Sequence, residues 1–282
     1  MNLDELQRSV EQLAATPAGT RDSEARVVVA ALLGHLEAGT VRAAIRADDG
    51  RWQAVPWVKR GILLGFRAGA LADMTGEGGT PFSFVDKDTY PTRRFSVADG
   101  IRVVPGGSTI RRGTYVAPGV VCMPPMYVNV GAWIGAGTMI DSHALVGSCA
   151  QIGERVHLSA AAQIGGVLEP INGSPVVIED DVVVGGNCGI YEGTVVHERA
   201  VIGAGVILTR STPVFDMVRE AVYKATDGSP LEIPAGAVVI PGARAVARVW
   251  GKEHGLSVQT PIIVKYRDGK TDAATVLEEW LR

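Results

Sequence analysis

From Val104 to about Pro213 the chain sets an aliphatic residue at every sixth position: Val104, Ile110, Val116, Val128, Ile134, Ile140, Val146, Ile152, Leu158 and Ile164, with Cys122 in the same phase. The register slips after Ile164 and restarts at Ile178, Val184, Ile190, Val196, Ile202 and Leu208. Four residues beyond an anchor the side chain is usually small or β-branched, as at Thr114, Val120, Ala132, Thr138, Ala144, Ala150, Val156 and Ala162. A small residue often follows the anchor directly, as at Gly135, Gly147, Gly153, Gly165, Gly185 and Gly203. A period of six suits neither an amphipathic helix (about 3.6) nor a flat strand (about 2), so it marks a solenoid. Three hexads close one triangular coil. The pattern predicts a mainly β fold, a left-handed parallel β-helix over 102–213 with its anchors stacked inside, against the usual right-handed crossover.

The flanks read differently. Asn2–Ala15 carries Leu3, Leu6, Val10 and Leu13 on one helical face, and a second helix is expected over about Asp22–Ala38, closed by Gly39. Val41–Ala47 and Arg51–Val55 alternate around Asp48-Asp49-Gly50 as a hairpin does, and Pro56 opens a third helix that runs to Ala68. Met74–Pro81 is glycine-rich and loop-like, and Phe82–Arg102 is irregular. Residues 1–101 are therefore expected to form a separate, mostly helical α/β domain. Pro170-Ile171-Asn172-Gly173-Ser174-Pro175 makes 170–177 an insertion in the repeat, of the kind that projects from a corner and shapes a site. Residues 214–282 are expected to hold a hairpin excursion over Val214–Pro234, a strand at Ile262–Tyr266 and a helix at Thr271–Leu281 that caps the open coil.

Composition narrows the function. A net charge of −3 points to neither nucleic acid nor a membrane surface, so an anionic ligand must meet a local basic cluster. Cys122, Cys149 and Cys188 lack metal-ligand spacing and read as small buried hydrophobes. Met1–Ala15 has no apolar core of the signal-peptide kind and no apolar run approaches 18 residues, so a cytoplasmic location is expected.

Candidate chemistry sits where the chain breaks its own repeat. The residue after Ile140 is Asp141, where a small side chain belongs. A carboxylate at a coil corner serves either as a general base at a subunit interface or as a turn residue bonded to backbone amides. His143, His157 and His197 are competing bases; they occupy different phases of the hexad, which argues against a three-histidine zinc site. His143, two residues from Asp141, draws most attention. Arg67, Arg93, Arg94, Arg102, Arg111 and Arg112 make the first third and first coil locally cationic, either as a solvated face or as carboxylate-binding forks.

The run IGAGTMIDSHALVGSCAQIGERVHLSAAAQIGGVLEP, Ile134 to Pro170, strongly resembles the 2,3,4,5-tetrahydropyridine-2,6-dicarboxylate N-succinyltransferases of lysine biosynthesis. Gly100–Pro105, Ser211–Asp216, Trp57–Arg60 and Phe66-Arg67 extend the likeness over nearly the whole chain. The resemblance implies succinyl transfer from succinyl-CoA, a cosubstrate rather than a permanently bound cofactor, to the amine of ring-opened 2-amino-6-oxopimelate. It implies Asp141 as the base, Arg102 on one substrate carboxylate and Arg67 of an adjacent subunit on the other. It also implies a homotrimer with interfacial sites and no metal. CoA is expected along a flat wall that includes Gly166, Gly186 and Ala204. Some relatives carry a glutamate where this chain has Gly189 and a tryptophan where it has His143; either that glutamate is dispensable, or Glu192 or Glu169 covers its role. Rivals are an acetyl-CoA-dependent transferase on the same or a related amino dicarboxylate, a hexapeptide metalloenzyme and a non-catalytic scaffold.

Overall fold

The computed structural model describes residues 1–75 and 83–269. Its centre is a left-handed parallel β-helix of two-residue strands with three faces. Most strands pair in parallel with one eighteen residues on, as Trp133 with Gln151, Met139 with His157 and Leu145 with Gln163. One face begins at Arg102, the second at Thr109 and the third at Tyr115. From Ile110 on the anchor is the second residue of each strand and points inward; Ile134, Ile140, Ile152, Leu158 and Ile164 are all fully buried. Val104, expected as the first anchor, falls outside the strand and the core, because Val103 pairs with Cys122 and one extra residue precedes Ile110. The small residues four beyond, such as Ala132, Ala144, Ala150 and Ala162, fill the tight corners of the same core. Backbone bonds run between coils, as from Met139 N–H to the Val156 carbonyl at 2.9 Å, so every coil templates the next.

Three coils carry extra residues. Arg102 pairs with Val121, which leaves one. Gln151 pairs with Val177, which leaves eight additional residues in a turn-rich insertion. Val195 pairs with Glu232, which leaves nineteen, folded as an antiparallel hairpin of Val214–Asp216 with Ala221–Tyr223. The coil does not end at residue 213. Glu232–Ile233 and Ala237–Ile240 add to two faces, and Leu231, Ile233, Ala237, Val239 and Ile263 join the interior. Ile262–Tyr266, a strand as expected, lies antiparallel along Ala237–Ile240. The expected helix at Thr271–Leu281 and most of the Met74–Pro81 loop lie outside the described residues.

Three helices precede the coil: α1 (Leu3–Ala15), α2 (Asp22–Glu37) and α3 (Pro56–Ala68). Asn2 and Glu5 form a capping box on α1, and Pro56 occupies the first turn of α3. Glycines let α3 approach closely: a Cβ on Gly61 would stand 2.3 Å from Leu32, and one on Gly65 would stand 2.2 Å from the Tyr90 hydroxyl. The helical core is not sealed off from the solenoid, because it takes in Val130 and Cys149 from one line of coil corners. Lys59, buried in α3, donates to the Gly173 carbonyl and ties the insertion to the helices. An antiparallel pair, Leu71–Asp73 with Val85–Lys87, orders some of the stretch expected to be irregular. Among the described residues no helix is long and apolar enough to cross a membrane.

The expected hairpin, Ala44–Arg46 with Trp52–Ala54, lies over the Tyr115 face. Arg42 stacks 3.9 Å from the Trp133 ring centroid and donates to Gln151 at 3.0 Å, and Trp52 donates to Glu179 at 2.8 Å. His197 bridges two carboxylates, with Nδ1 3.1 Å from Glu179 and Nε2 3.0 Å from Glu232. Arg46 faces the same Glu179 at 3.3 Å. Burial works to raise the Glu179 carboxyl, but hydrogen bonds from His197 and Trp52, with the charges of His197 and Arg46, hold it down at about 2. The bond to Glu179 raises His197 above its ordinary value, against burial and with help from Glu232.

The His197 contribution to stability is complete below its ordinary 6.5 and is lost as pH rises through the raised folded value. The Glu179 contribution is complete above its ordinary 4.5 and is lost as pH falls toward about 2. The clamp is thus strongest between those ordinary values. His197→Gln should lower the melting temperature by ~2–4 °C near pH 5.5, with the difference shrinking as pH rises. A pH-independent difference in thermal scans from pH 5 to 9 would contradict the clamp.

Candidate active site

The chain leaves the Arg102 face after Ile140, Leu158, Val184 and Ile202 and turns toward the Thr109 face. The second residue of each turn is Ser142, Ala160, Gly186 or Ala204, one above another along an edge. Backbone bonds fix the stack: Ala161 N–H to the Ser142 carbonyl at 2.9 Å, Asn187 N–H to Ala160 at 3.0 Å and Gly205 N–H to Gly186 at 3.0 Å. The residues beside them are equally spare. A Cβ on Gly185 would stand 2.5 Å from Ala204 N, and one on Gly203 would stand 2.9 Å from the Val239 carbonyl. Above Asp141 the first two positions of each turn form a lane of partly exposed backbone in which no side chain exceeds a methyl or hydroxymethyl group.

Asp141 opens the lane. It is half-buried, and its Oδ1 accepts the Ser142 N–H at 3.2 Å, as a turn-stabilising aspartate would. The other oxygen is free of the turn and lies 3.5 Å from His157 Nε2. Both expected roles are compatible with this geometry, one oxygen serving each. His143, the histidine nearest in sequence, stays out of this contact. It adopts a left-handed turn conformation with φ 63°, is exposed, and accepts a hydrogen bond from Gln163 Nε2 at its carbonyl, 3.2 Å away. The coil decides this outcome, since residues 139 and 157 are parallel partners and side chains two apart on a strand share a face. Counting eighteen residues from the Asp141 strand would have found His157.

The other selected residues separate into three places. Arg102 starts the column that continues through Val121, Met139 and His157, so it shares the Asp141 face two coils away. Gly186 and Ala204 lie on the lane, but Gly166 does not. Gly166 belongs to the next edge, packed on Gly147, in a cavity of about 910 Å³ with Glu169, Tyr191, Glu192 and Arg210. That correction follows from phase: Gly166 succeeds an anchor of the Thr109 face, whereas Gly186 and Ala204 succeed anchors of the Arg102 face. The 170–177 insertion and the Asp227–Pro230 segment wall this cavity. Glu192 uses one carboxylate oxygen to accept the Arg210 N–H at 2.7 Å. Gly189 has a physical reason here. A Cβ on it would stand 2.4 Å from the Tyr191 ring, which fills the space beside it. Tyr191 thus lines this cavity and was passed over in sequence reading.

Arg67 is remote from Asp141 within one chain. Its guanidinium closes the C-terminal end of α1, donating to the carbonyls of Leu13 at 2.6 Å, Thr16 at 3.0 Å and Ala14 at 3.2 Å. It lines a cavity of about 450 Å³ with Glu11, Arg60 and Ile171. All three cysteines are free and buried, and burial pushes the Cys122 and Cys149 thiols up to about 12. Among the described residues no three His, Cys, Asp or Glu side chains converge as a metal site.

Residues 5–68 match the model of the tetrahydrodipicolinate N-succinyltransferase N-terminal region, and residues 175–210 match the hexapeptide repeat of succinyl-transferase. A 2,3,4,5-tetrahydropyridine-2,6-dicarboxylate N-succinyltransferase of Polynucleobacter asymbioticus is 42% identical over 92% of this chain and 90% of its own. Similarly named proteins of Nitrobacter winogradskyi and Acinetobacter baylyi are 41% and 38% identical, over 95% and 98% of this chain and 92% and 97% of theirs. A Campylobacter jejuni crystal structure, described as a 2,3,4,5-tetrahydropyridine-2-carboxylate N-succinyltransferase, superposes with TM-score 0.50 at 17% identity over 88% of this chain. The chain spans 63% of that neighbour's length, and the likeness speaks for the fold alone.

Two of these glycines should tolerate substitution unequally. A Cβ on Gly147 would stand 2.1 Å from Gly166 N and must push neighbouring coils apart, whereas one on Gly186 meets only the Ala160 carbonyl at 3.1 Å. Gly147→Ala should cost about 1–3 kcal/mol in denaturant unfolding and Gly186→Ala less than about 1 kcal/mol. Equal costs would mean that the two positions are equally close-packed.

Proposed function

The chain belongs to the 2,3,4,5-tetrahydropyridine-2,6-dicarboxylate N-succinyltransferase family, and we propose that it moves a succinyl group from succinyl-CoA to the amine of 2-amino-6-oxopimelate in lysine and diaminopimelate biosynthesis. The observation that carries this reading is the half-buried Asp141 carboxylate at the foot of a lane built of Ala160, Gly186 and Ala204. A flat backbone wall suits the extended amide arm of CoA, which needs close approach and hydrogen-bonding groups more than side-chain pockets. No permanently bound cofactor belongs to this reading.

The reaction begins with an ammonium, which has no lone pair to offer. Asp141 takes its proton, and the amine nitrogen attacks the thioester carbon. The tetrahedral intermediate collapses with cleavage of the C–S bond. The nitrogen loses a second proton, the departing sulfur gains one, and an amide and free CoA result. Arg102 is proposed to hold one substrate carboxylate. Arg67 of an adjacent subunit is proposed to hold the other, trading an α1 carbonyl for a charge-assisted partner. Support for a homotrimer with interfacial sites comes from the Arg102 face, where Met139, His157, Val183 and Val201 are only half-buried in one chain. Packing of copies against such faces completes their burial.

A matrix of acyl donors and amino dicarboxylate acceptors tests the assignment. Succinyl-CoA with the ring-opened substrate should give the highest kcat/KM; equal or faster turnover of acetyl-CoA would replace the succinyl reading with an acetyl one. Asp141→Asn should lower kcat by about 10²–10⁴-fold with the oligomer intact. An active Asp141→Asn enzyme would remove Asp141 from the base role.

A further inference from the structure

His157 lies in the column of the Arg102 face, between Met139 of the preceding coil and Val183 of the following one. Neither neighbour offers it a hydrogen bond. Ser159 shares its strand face, and Gly185 occupies the same position one coil on. Asp141 is the titratable group these packed elements turn toward it, with Oδ2 3.5 Å from Nε2. Nε2 is buried and has no hydrogen-bond partner among the described residues. A buried ring nitrogen left unmade is costly, so its one polar neighbour needs a physical account.

We propose that His157 is the positioning residue of Asp141, donating Nε2–H to Oδ2 when substrate binds and holding the carboxylate in the orientation that accepts the amine's proton. This rests on the base role given to Asp141 above. Three features carry it. The Ser142 N–H restrains only Oδ1, by one bond at 3.2 Å, so the side chain needs a second contact before its reactive lone pair has a direction. Placing the imidazole proton on Nε2 turns a donor toward the carboxylate; the other tautomer would set the lone pair of a buried nitrogen against a carboxylate oxygen. Closing the gap to hydrogen-bond length takes a movement on the order of half an ångström, which an arriving ammonium supplies by drawing the carboxylate into place. The backbone on both sides is ladder-bonded: Asp141 N–H donates to the Leu158 carbonyl at 2.9 Å and His157 N–H to Val182 at 3.0 Å. The adjustment is therefore confined to side chains.

The role separates donor from bulk. Glutamine keeps an N–H donor near the place of Nε2, whereas leucine keeps the volume and removes the donor. His157→Leu should lower kcat about 10–100-fold with little change in KM for either substrate, and His157→Gln should restore kcat to within about threefold of the parent enzyme. In ¹⁵N NMR of the intact protein, His157 should populate the Nε2–H tautomer, and Asp141→Ala should redistribute it. Unchanged kcat in His157→Leu, or equal losses in Leu and Gln variants, would overturn the proposal; so would a tautomer indifferent to Asp141→Ala. Failure of the base reading looks different, because Asp141→Asn would then stay active whatever His157 does.

Discussion

One constraint governs this molecule: each coil must lay its anchor directly on the anchor of the coil before it. The core is one residue wide per face, so Ile134, Ile152 and Ile178 form a continuous stack and a shift of one residue would turn it to solvent. The same ladder satisfies the backbone, leaving freedom only at the corners. The two large departures from an eighteen-residue coil leave the ladder between strands, at the 170–177 insertion and the Val214–Tyr223 hairpin. Function can be added to such a scaffold at an edge without disturbing the interior.

Two edges have diverged accordingly. The Asp141 edge is bare, and its spareness comes from glycine and alanine at successive corners. The next edge is enclosed by the insertion and by Asp227–Pro230, and it holds Glu169, Tyr191 and Glu192 in one large cavity. Meanwhile the helices and hairpin cover the Tyr115 face through Arg42, Trp52 and the His197 clamp. Cover on one side and spareness on another direct ligands to the remaining face and its edges.

Much of this was legible from residue order. The hexad anchors, α1, α2, α3, the Ala44–Ala54 hairpin and the Ile262–Tyr266 strand follow from local periodicity and breaker residues. Asp141 stood out because it replaces a small residue. The misplacements have a shared cause. His143 is near Asp141 along the chain, but a sharp left-handed turn sends it to solvent, while His157 arrives from one coil away. Gly166 matches Gly186 and Ala204 in hexad phase yet differs in coil phase, so it falls on another edge. Arg67 read as a ligand-binding fork, and within its own chain it caps α1. Tyr191 gave no signal, because its meaning lies in the space that Gly189 leaves open.

The sequence by itself determined the solenoid and its interior from Ile110 to Leu208, since burial with a period of six depends only on which residues are apolar and in what order, whereas the last coil, after the hairpin, emerged only in the structure. It also determined the family, through motifs that are contiguous along the chain. Only the tertiary structure decided which side chains meet. Winding brings together residues eighteen, twenty-six or thirty-seven positions apart according to where extra residues are inserted, and no local pattern records that spacing. The pairing of Asp141 with His157 and the separation of Gly166 from the lane are consequences of that winding.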